Sequence, residues 1–178
     1  KNAFNSIDEN IQLLWFLYQN GGGLFKKKEL TEIDNIFLMS ICELSLKLKE
    51  MILDRLTDSY PSEDFSVIKD FYFSSSNHHR AFVIELLDNT INKKDKIKYL
   101  SFLESDNPDK EMAVLSKNSS KPQVTIKIDE QLINKNIFIS NVLKLYQNIF
   151  QDKEIYNNIK TAYLLKQVSL FKNVSLEI

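Results

Sequence analysis

Arg80-Ala81-Phe82-Val83-Ile84-Glu85-Leu86-Leu87-Asp88-Asn89 is an apolar stretch that closes on an acid and an amide. Ala81, Ile84, Leu87 and, just beyond, Ile91 stand three or four residues apart, so a single helix from His78 to Ile91 gathers them on one inward face. Positions seven apart nearly superimpose on a helix, which puts Asp88 on the face of Ala81. A carboxylate there must be paired, hydrogen-bonded or exposed at a helix end. Its expected task, shared with Asn89, is to accept backbone N–H groups at the start of the next helix, the commonest use of these residue types. Arg80, Ala81, Ile84, Leu87, Asp88 and Asn89 are thus expected to hold a central helical stack, in a structural role.

The flanks extend this pattern. Tyr60-Pro61-Ser62-Glu63-Asp64 reads as a helix start, because proline is tolerated in a first turn. The helix after it carries Phe65, Ile68, Phe71 and Tyr72 on one side, and Ser74-Ser75-Ser76-Asn77 is a short loop. After Ile91, Asn92-Lys93-Lys94-Asp95 turns the chain, and Asp95 can cap a helix that presents Ile97, Leu100 and Leu103. Three helices joined by such short loops must lie antiparallel to their neighbours. That is the local grammar of an all-α solenoid of stacked antiparallel helix pairs.

Upstream, Ser6 and Glu9 have capping-box spacing, and Ile7, Ile11, Leu14, Leu17 and Tyr18 line one face of the first helix. Asn20-Gly21-Gly22-Gly23 ends it, since glycine accepts a left-handed turn. From Thr31 to Asp58, Ile33, Phe37, Ile41, Leu44, Leu48, Met51, Ile52 and Leu56 repeat at helical spacing, enough for two helices broken or bent near Asp34. Glu43, Lys47, Lys49, Glu50, Asp54 and Arg55 read as the solvated face of that segment. Downstream, Glu104 to Pro122 is the least ordered stretch, with one helical turn at Met112 to Leu115. Val124 to Ile128 alternates at strand period without an evident partner strand, and is read as an extended approach to a helix beginning near Asp129. Helices are expected over Ile137 to Phe150 and after Asp152, the latter bearing Ile155, Ile159, Ala162, Tyr163 and Val168.

Composition fits this reading. The chain has 178 residues, enough for one domain with a sizeable core, and only three glycines and three prolines to interrupt helices. Its net charge of −1, from 23 basic and 24 acidic residues, gives no concentrated positive field for nucleic acid. Cys42 is the single cysteine, which rules out an internal disulfide and a cysteine-based metal cluster and fits a reducing compartment. No signal segment is evident, and the apolar runs fall short of the about 20 residues that cross a bilayer. The first residue is Lys1 rather than Met, as in an excised fragment.

The residue types that carry chemistry have plainer readings here. His78 and His79 are adjacent and diverge by about 100° on a helix, so a solvent-facing pair fits better than a metal site. Cys42 lacks a neighbouring histidine or a helix start to activate it, which suits a core or boundary thiol. Trp15, Phe16 and Tyr18 form an aromatic stripe of the kind that fills cores. Lys26-Lys27-Lys28 is a solvated turn rather than a lipid-binding patch, and the triglycine run lacks the Gly-Lys-Ser/Thr ending of a phosphate loop. No catalytic residue, cofactor or metal is expected.

Arg80-Ala81, then Glu85 to Asn89, then Leu100-Ser101-Phe102-Leu103-Glu104 resemble the HEAT-like repeat region of bacterial ATP/ADP-carrier-type proteins, in which helical repeats follow a major-facilitator-type membrane portion. Leu164 to Ser175, with its Leu170-Phe171 and polar turn, is similar to the opening helix of a cyclic-nucleotide-binding domain. The order of the two motifs matches the carrier-like arrangement. The resemblance implies a HEAT-like repeat domain over 1–163, less regular at 104–128, with 164–178 as the start of a sensor domain. It implies a non-enzymatic scaffold on the cytoplasmic side of the bacterial inner membrane. Its partners would be the neighbouring transporter and nucleotide-sensor domains. No transport or nucleotide-binding residue falls within this chain. A free-standing adaptor that binds a protein on the concave face of the solenoid is the alternative. A helical-repeat DNA glycosylase, which needs a basic concave stripe, fits less well.

Overall fold

Ser6 sets the first helix. Its Oγ accepts from the Glu9 backbone N–H at 3.1 Å, and α1 runs over Ile7–Gly21. The structure is a computed structural model that describes residues 6–60, 64–74, 76–118, 140–142 and 153–167. Among these the chain is all-helical, with no strand. It divides into two compact units: Lys1–Leu44 with Gln123–Ile178, and Ser45–Pro122.

In the first unit, Leu13, Leu14, Leu17 and Tyr18 of α1 are almost fully buried, and Trp15 and Phe16 are half-buried. A 3-10 turn over Gly22–Lys26 follows. Gly21 does not adopt the left-handed conformation anticipated for this run, because its φ is −125°. It is constrained by packing instead: a Cβ at this position would overlap the buried Phe37 ring of the next helix.

That helix, α2, is one uninterrupted rod over Glu32–Ser59 rather than two. Asp34 does not break it but helps to start it. Thr31 Oγ1 accepts from the Asp34 N–H at 3.1 Å, Asp34 Oδ2 accepts from the Thr31 N–H at 2.8 Å, and Lys27 Nζ bonds the same carboxylate at 2.7 Å. The anticipated stripe is buried at Phe37, Ile41, Leu44, Leu48, Ile52 and Leu56, and Ile36 and Leu53 widen it. Residues up to Leu44 belong to the first unit and those from Ser45 to the second. Cys42 is exposed, not a core thiol. A last helix of the first unit, α8 over Lys153–Gln167, buries Ile159 and reaches the start of α2. Tyr156 Oη donates to Glu32 Oε2 at 3.0 Å, and Lys160 Nζ pairs with the same oxygen at 3.1 Å. The Lys160 hydrogen bond, with that of Tyr156, holds the Glu32 carboxyl below its usual range.

The second unit follows α2 with a 3-10 turn over Asp64–Val67, α3 over Ile68–Phe73 and α4 over Asn77–Thr90, the last capped by Ser76. A continuous helical stretch then comprises α5 over Lys93–Asp95, a π-helical turn over Lys96–Leu100 and α6 over Ser101–Glu104. The π turn spreads an extra residue around the axis. It turns Ile97, expected inward, out to 65% exposure and carries Tyr99 into the core beside Leu100 and Leu103. Finally, α7 covers Pro108–Asn118, three turns where a single one was anticipated. Asn107 Oδ1 accepts from the Lys110 N–H at 3.0 Å, Pro108 fits the first helical position, and Asp109 and Glu111 suit the positive end of the helix dipole. Val124 to Ile128, the expected helix start near Asp129, the Asp152 cap and residues 168–178 lie outside the described residues. Of the helix expected over 137–150, residues 140–142 are described; they are helical, with Ser140 and Val142 buried.

Gly21→Ala is expected to lower stability by about 1–3 kcal/mol, the range for overpacking a filled core. Urea unfolding of wild type and variant checks this, and an unchanged midpoint contradicts the tight α1–α2 approach.

Candidate functional site

The inner face of α4 is set by Val83, Leu87 and Ile91, four residues apart and buried. Ile84 and Arg80 are half-buried at its edges, whereas Ala81, Asp88 and Asn89 are exposed. Asp88 sits about 100° around the axis from Leu87, which carries it off the core face. It pairs with Lys96 Nζ at 3.1 Å. The capping expected of Asp88 or Asn89 falls to Asn92, whose Oδ1 accepts from the Asp95 N–H at 3.0 Å. Tyr60 joins this corner: its hydroxyl donates to Asp95 Oδ2 at 2.7 Å and accepts from the Asn92 N–H at 3.0 Å.

The outward face of α4 borders an open groove of roughly 500 Å³, lined by Asn77, Arg80, Ala81, Ile84, Glu85, Asp88, Glu104 and Asp106. Four carboxylates make it acidic. Two of them are engaged: Asp88 with Lys96, and Asp106 with Lys110 at 2.9 Å. The Lys110 hydrogen bond holds the Asp106 carboxyl below its usual range. At the start of α4, His78 is exposed. The His79 ring stacks on Phe71 with centroids 4.9 Å apart, and its Nδ1 lies 3.1 Å from Ser74 Oγ. Among the described residues, no group of three or more His, Cys, Asp or Glu is placed to hold a metal ion.

The densest polar cluster of the unit lies where α6 ends and α7 begins. Lys49 of α2, read from sequence as solvated, is 5% exposed. Its ammonium forms an ion pair with Glu111 of α7, donates to the Ser105 carbonyl at 2.9 Å, and lies over the Phe102 ring at 5.3 Å. Ser45 Oγ donates to the other Glu111 oxygen at 2.7 Å. Arg80 closes the cluster from α4, with NH2 donating to the Ser105 carbonyl at 2.7 Å and the Leu103 carbonyl at 3.0 Å. Its guanidinium stacks over the Tyr72 ring at 5.0 Å, and Tyr72 Oη donates to the Leu103 carbonyl at 2.7 Å. Two cations thus meet carbonyls at the C-terminal end of α6, where the helix dipole is negative. Burial pushes the Tyr72 phenol up to about 12, against the pull of the Arg80 charge.

A sequence signal for this cluster existed. Ser45, Lys49, Ile52 and Leu56 are spaced four, three and four apart, so Lys49 continues a buried stripe. Glu111 likewise precedes the buried Leu115 by four. Chemically, the cluster binds the chain to itself: its donors and acceptors are matched to backbone carbonyls and to each other.

Comparison with protein families, curated proteins and solved structures returns no match. Among the described residues, no helix is long and apolar enough to cross a membrane.

Removing one partner of a buried ion pair leaves an uncompensated charge. Lys49→Met is therefore expected to cost about 3–5 kcal/mol, and Lys49→Met with Glu111→Leu to recover most of it. A denaturant-unfolding double-mutant cycle measures this, and two additive losses would contradict the pairing.

The Tyr72 shift also fixes a pH dependence. Unfolded, this phenol loses its proton near pH 10, and folded, near 12. Its contribution is complete below pH 10 and is lost as pH rises through 12, on the order of 2–3 kcal/mol across that window. Tyr72→Phe should remove that part of the alkaline slope, as read from urea midpoints between about pH 9 and 12.

Proposed function

We propose that the chain is a non-enzymatic helical scaffold, a HEAT-like stack that holds a nucleotide-sensor domain against a membrane transporter portion of a larger polypeptide. One observation carries the reading: the buried charged side chains among the described residues, Asp34, Lys49 and Glu111, are all bonded to the protein itself. Buried charge of this kind fixes geometry. The order of packing in the second unit agrees with a stack, since α3 lies against α4, α4 against the π turn, and α6 against α7. A scaffold transmits a signal when the two states of its neighbours differ in their contacts with it.

The test uses the full-length protein in vesicles. Transport is measured with and without a cyclic nucleotide, in wild type and in Lys49→Met. The expected result is that the variant keeps basal transport and loses most of the nucleotide response. A reading frame with no membrane spans ahead of Lys1 and no sensor domain after Ile178 would overturn the proposal. That outcome would favour a free-standing adaptor, a reading supported by Phe73 and Phe82, which are 40% and 48% exposed.

A further inference from the structure

The helix α7 is attached differently from its neighbours. Among its residues 108–117, Glu111 and Leu115 alone are buried. Pro108, Met112 and Val114 are half-buried, and Asp109, Lys110, Ala113, Ser116 and Lys117 are exposed. By contrast, Leu48, Ile52, Leu53 and Leu56 of α2 are each at most 1% exposed. Elements with few buried apolar contacts open at lower free energy than the core. In α7 the shortage of apolar burial is offset by one carboxylate, which holds the Lys49 ammonium and the Ser45 hydroxyl.

The upstream boundary is equally defined. Ser105 is buried, and its carbonyl is held by both Lys49 and Arg80. Asp106 and Asn107, the next two residues, are exposed. If α7 departs, Arg80 still holds Ser105 to α4, so the movement begins after Ser105. Lys49 keeps the Ser105 carbonyl and the Phe102 ring as partners, and the Glu111 carboxylate returns to water.

We propose that α7 is a strap that opens and recloses as a unit while α2 to α6 stay folded, with the Lys49–Glu111 pair as its latch and Asp106–Asn107 as its hinge. This is a conformational device independent of the scaffold reading, because it concerns only how one helix is held on its own unit.

Hydrogen exchange of the whole chain, read by mass spectrometry under conditions where exchange follows opening equilibria, tests it. The informative amides are those of residues 112–116, which lie beyond the first helical turn. In wild type they should exchange roughly 100-fold or more faster than the amides of residues 48–56, which await global opening. In Glu111→Gln the 112–116 amides should speed up by a further roughly 100-fold, the scale expected when a buried pair loses one charge; amides that await global opening, which also breaks the pair, speed up by no more than the same factor, so 112–116 stay ahead of 48–56. Two results overturn the proposal: wild-type α7 exchanging in step with α2, or Glu111→Gln leaving the 112–116 amides at their wild-type rate. Should Glu111→Gln fail to fold, the wild-type comparison of 112–116 with 48–56 decides alone.

Discussion

The second unit depends on a lysine placed where a leucine would be expected. Burying an ammonium is costly unless it is paired and its remaining hydrogens are satisfied. Lys49 meets that demand with a carboxylate, a backbone carbonyl and an aromatic face. Each of these comes from a different place along the chain: Glu111 from α7, Ser105 from the connection before it, and Phe102 from α6. A hydrophobic side chain at position 49 would accept many packings of these elements. The ion pair is satisfied only where carboxylate and carbonyl arrive together.

Arg80 extends the same constraint to α4. One terminal nitrogen reaches the Leu103 and Ser105 carbonyls while the planar guanidinium stacks on Tyr72, a combination that lysine cannot reproduce. Thus side chains of α2, α3 and α4 converge on one short segment at the end of α6, Leu103 to Ser105. The outward face of α4 is free of this duty. It borders an acidic groove, and near its start the His79 and Phe82 rings meet Phe71 of α3.

Much of this architecture was legible in the sequence. The Ser6 cap, the α2 stripe and the boundaries of α4 follow from spacing and side-chain chemistry, because local hydrogen bonds and apolar periodicity act over a few residues. The misreadings share a different cause. Val83 rather than Ala81 faces inward, since an alanine and a valine are equally compatible with the period and only the neighbour decides. The π turn displaced Ile97 because a period analysis assumes 3.6 residues per turn throughout. Asn107-Pro108 is a sound helix start that the polar composition of the stretch conceals. Gly21 reads from sequence as a site of backbone freedom, whereas what requires it is the Phe37 ring, 16 positions away. Lys49 stands on the buried stripe but reads as solvated by its charge, because the carboxylate that makes its burial tolerable lies 62 residues downstream.

The distribution of aromatic residues has a practical side. The only tryptophan, Trp15, lies half-buried in α1 and belongs to the first unit, whereas Tyr60, Tyr72 and Tyr99 belong to the second. Indole fluorescence therefore watches one half of the molecule, and circular dichroism watches every helix at once. A mismatch between those two optical signals on heating would reveal halves that melt separately, with no label attached to the polypeptide.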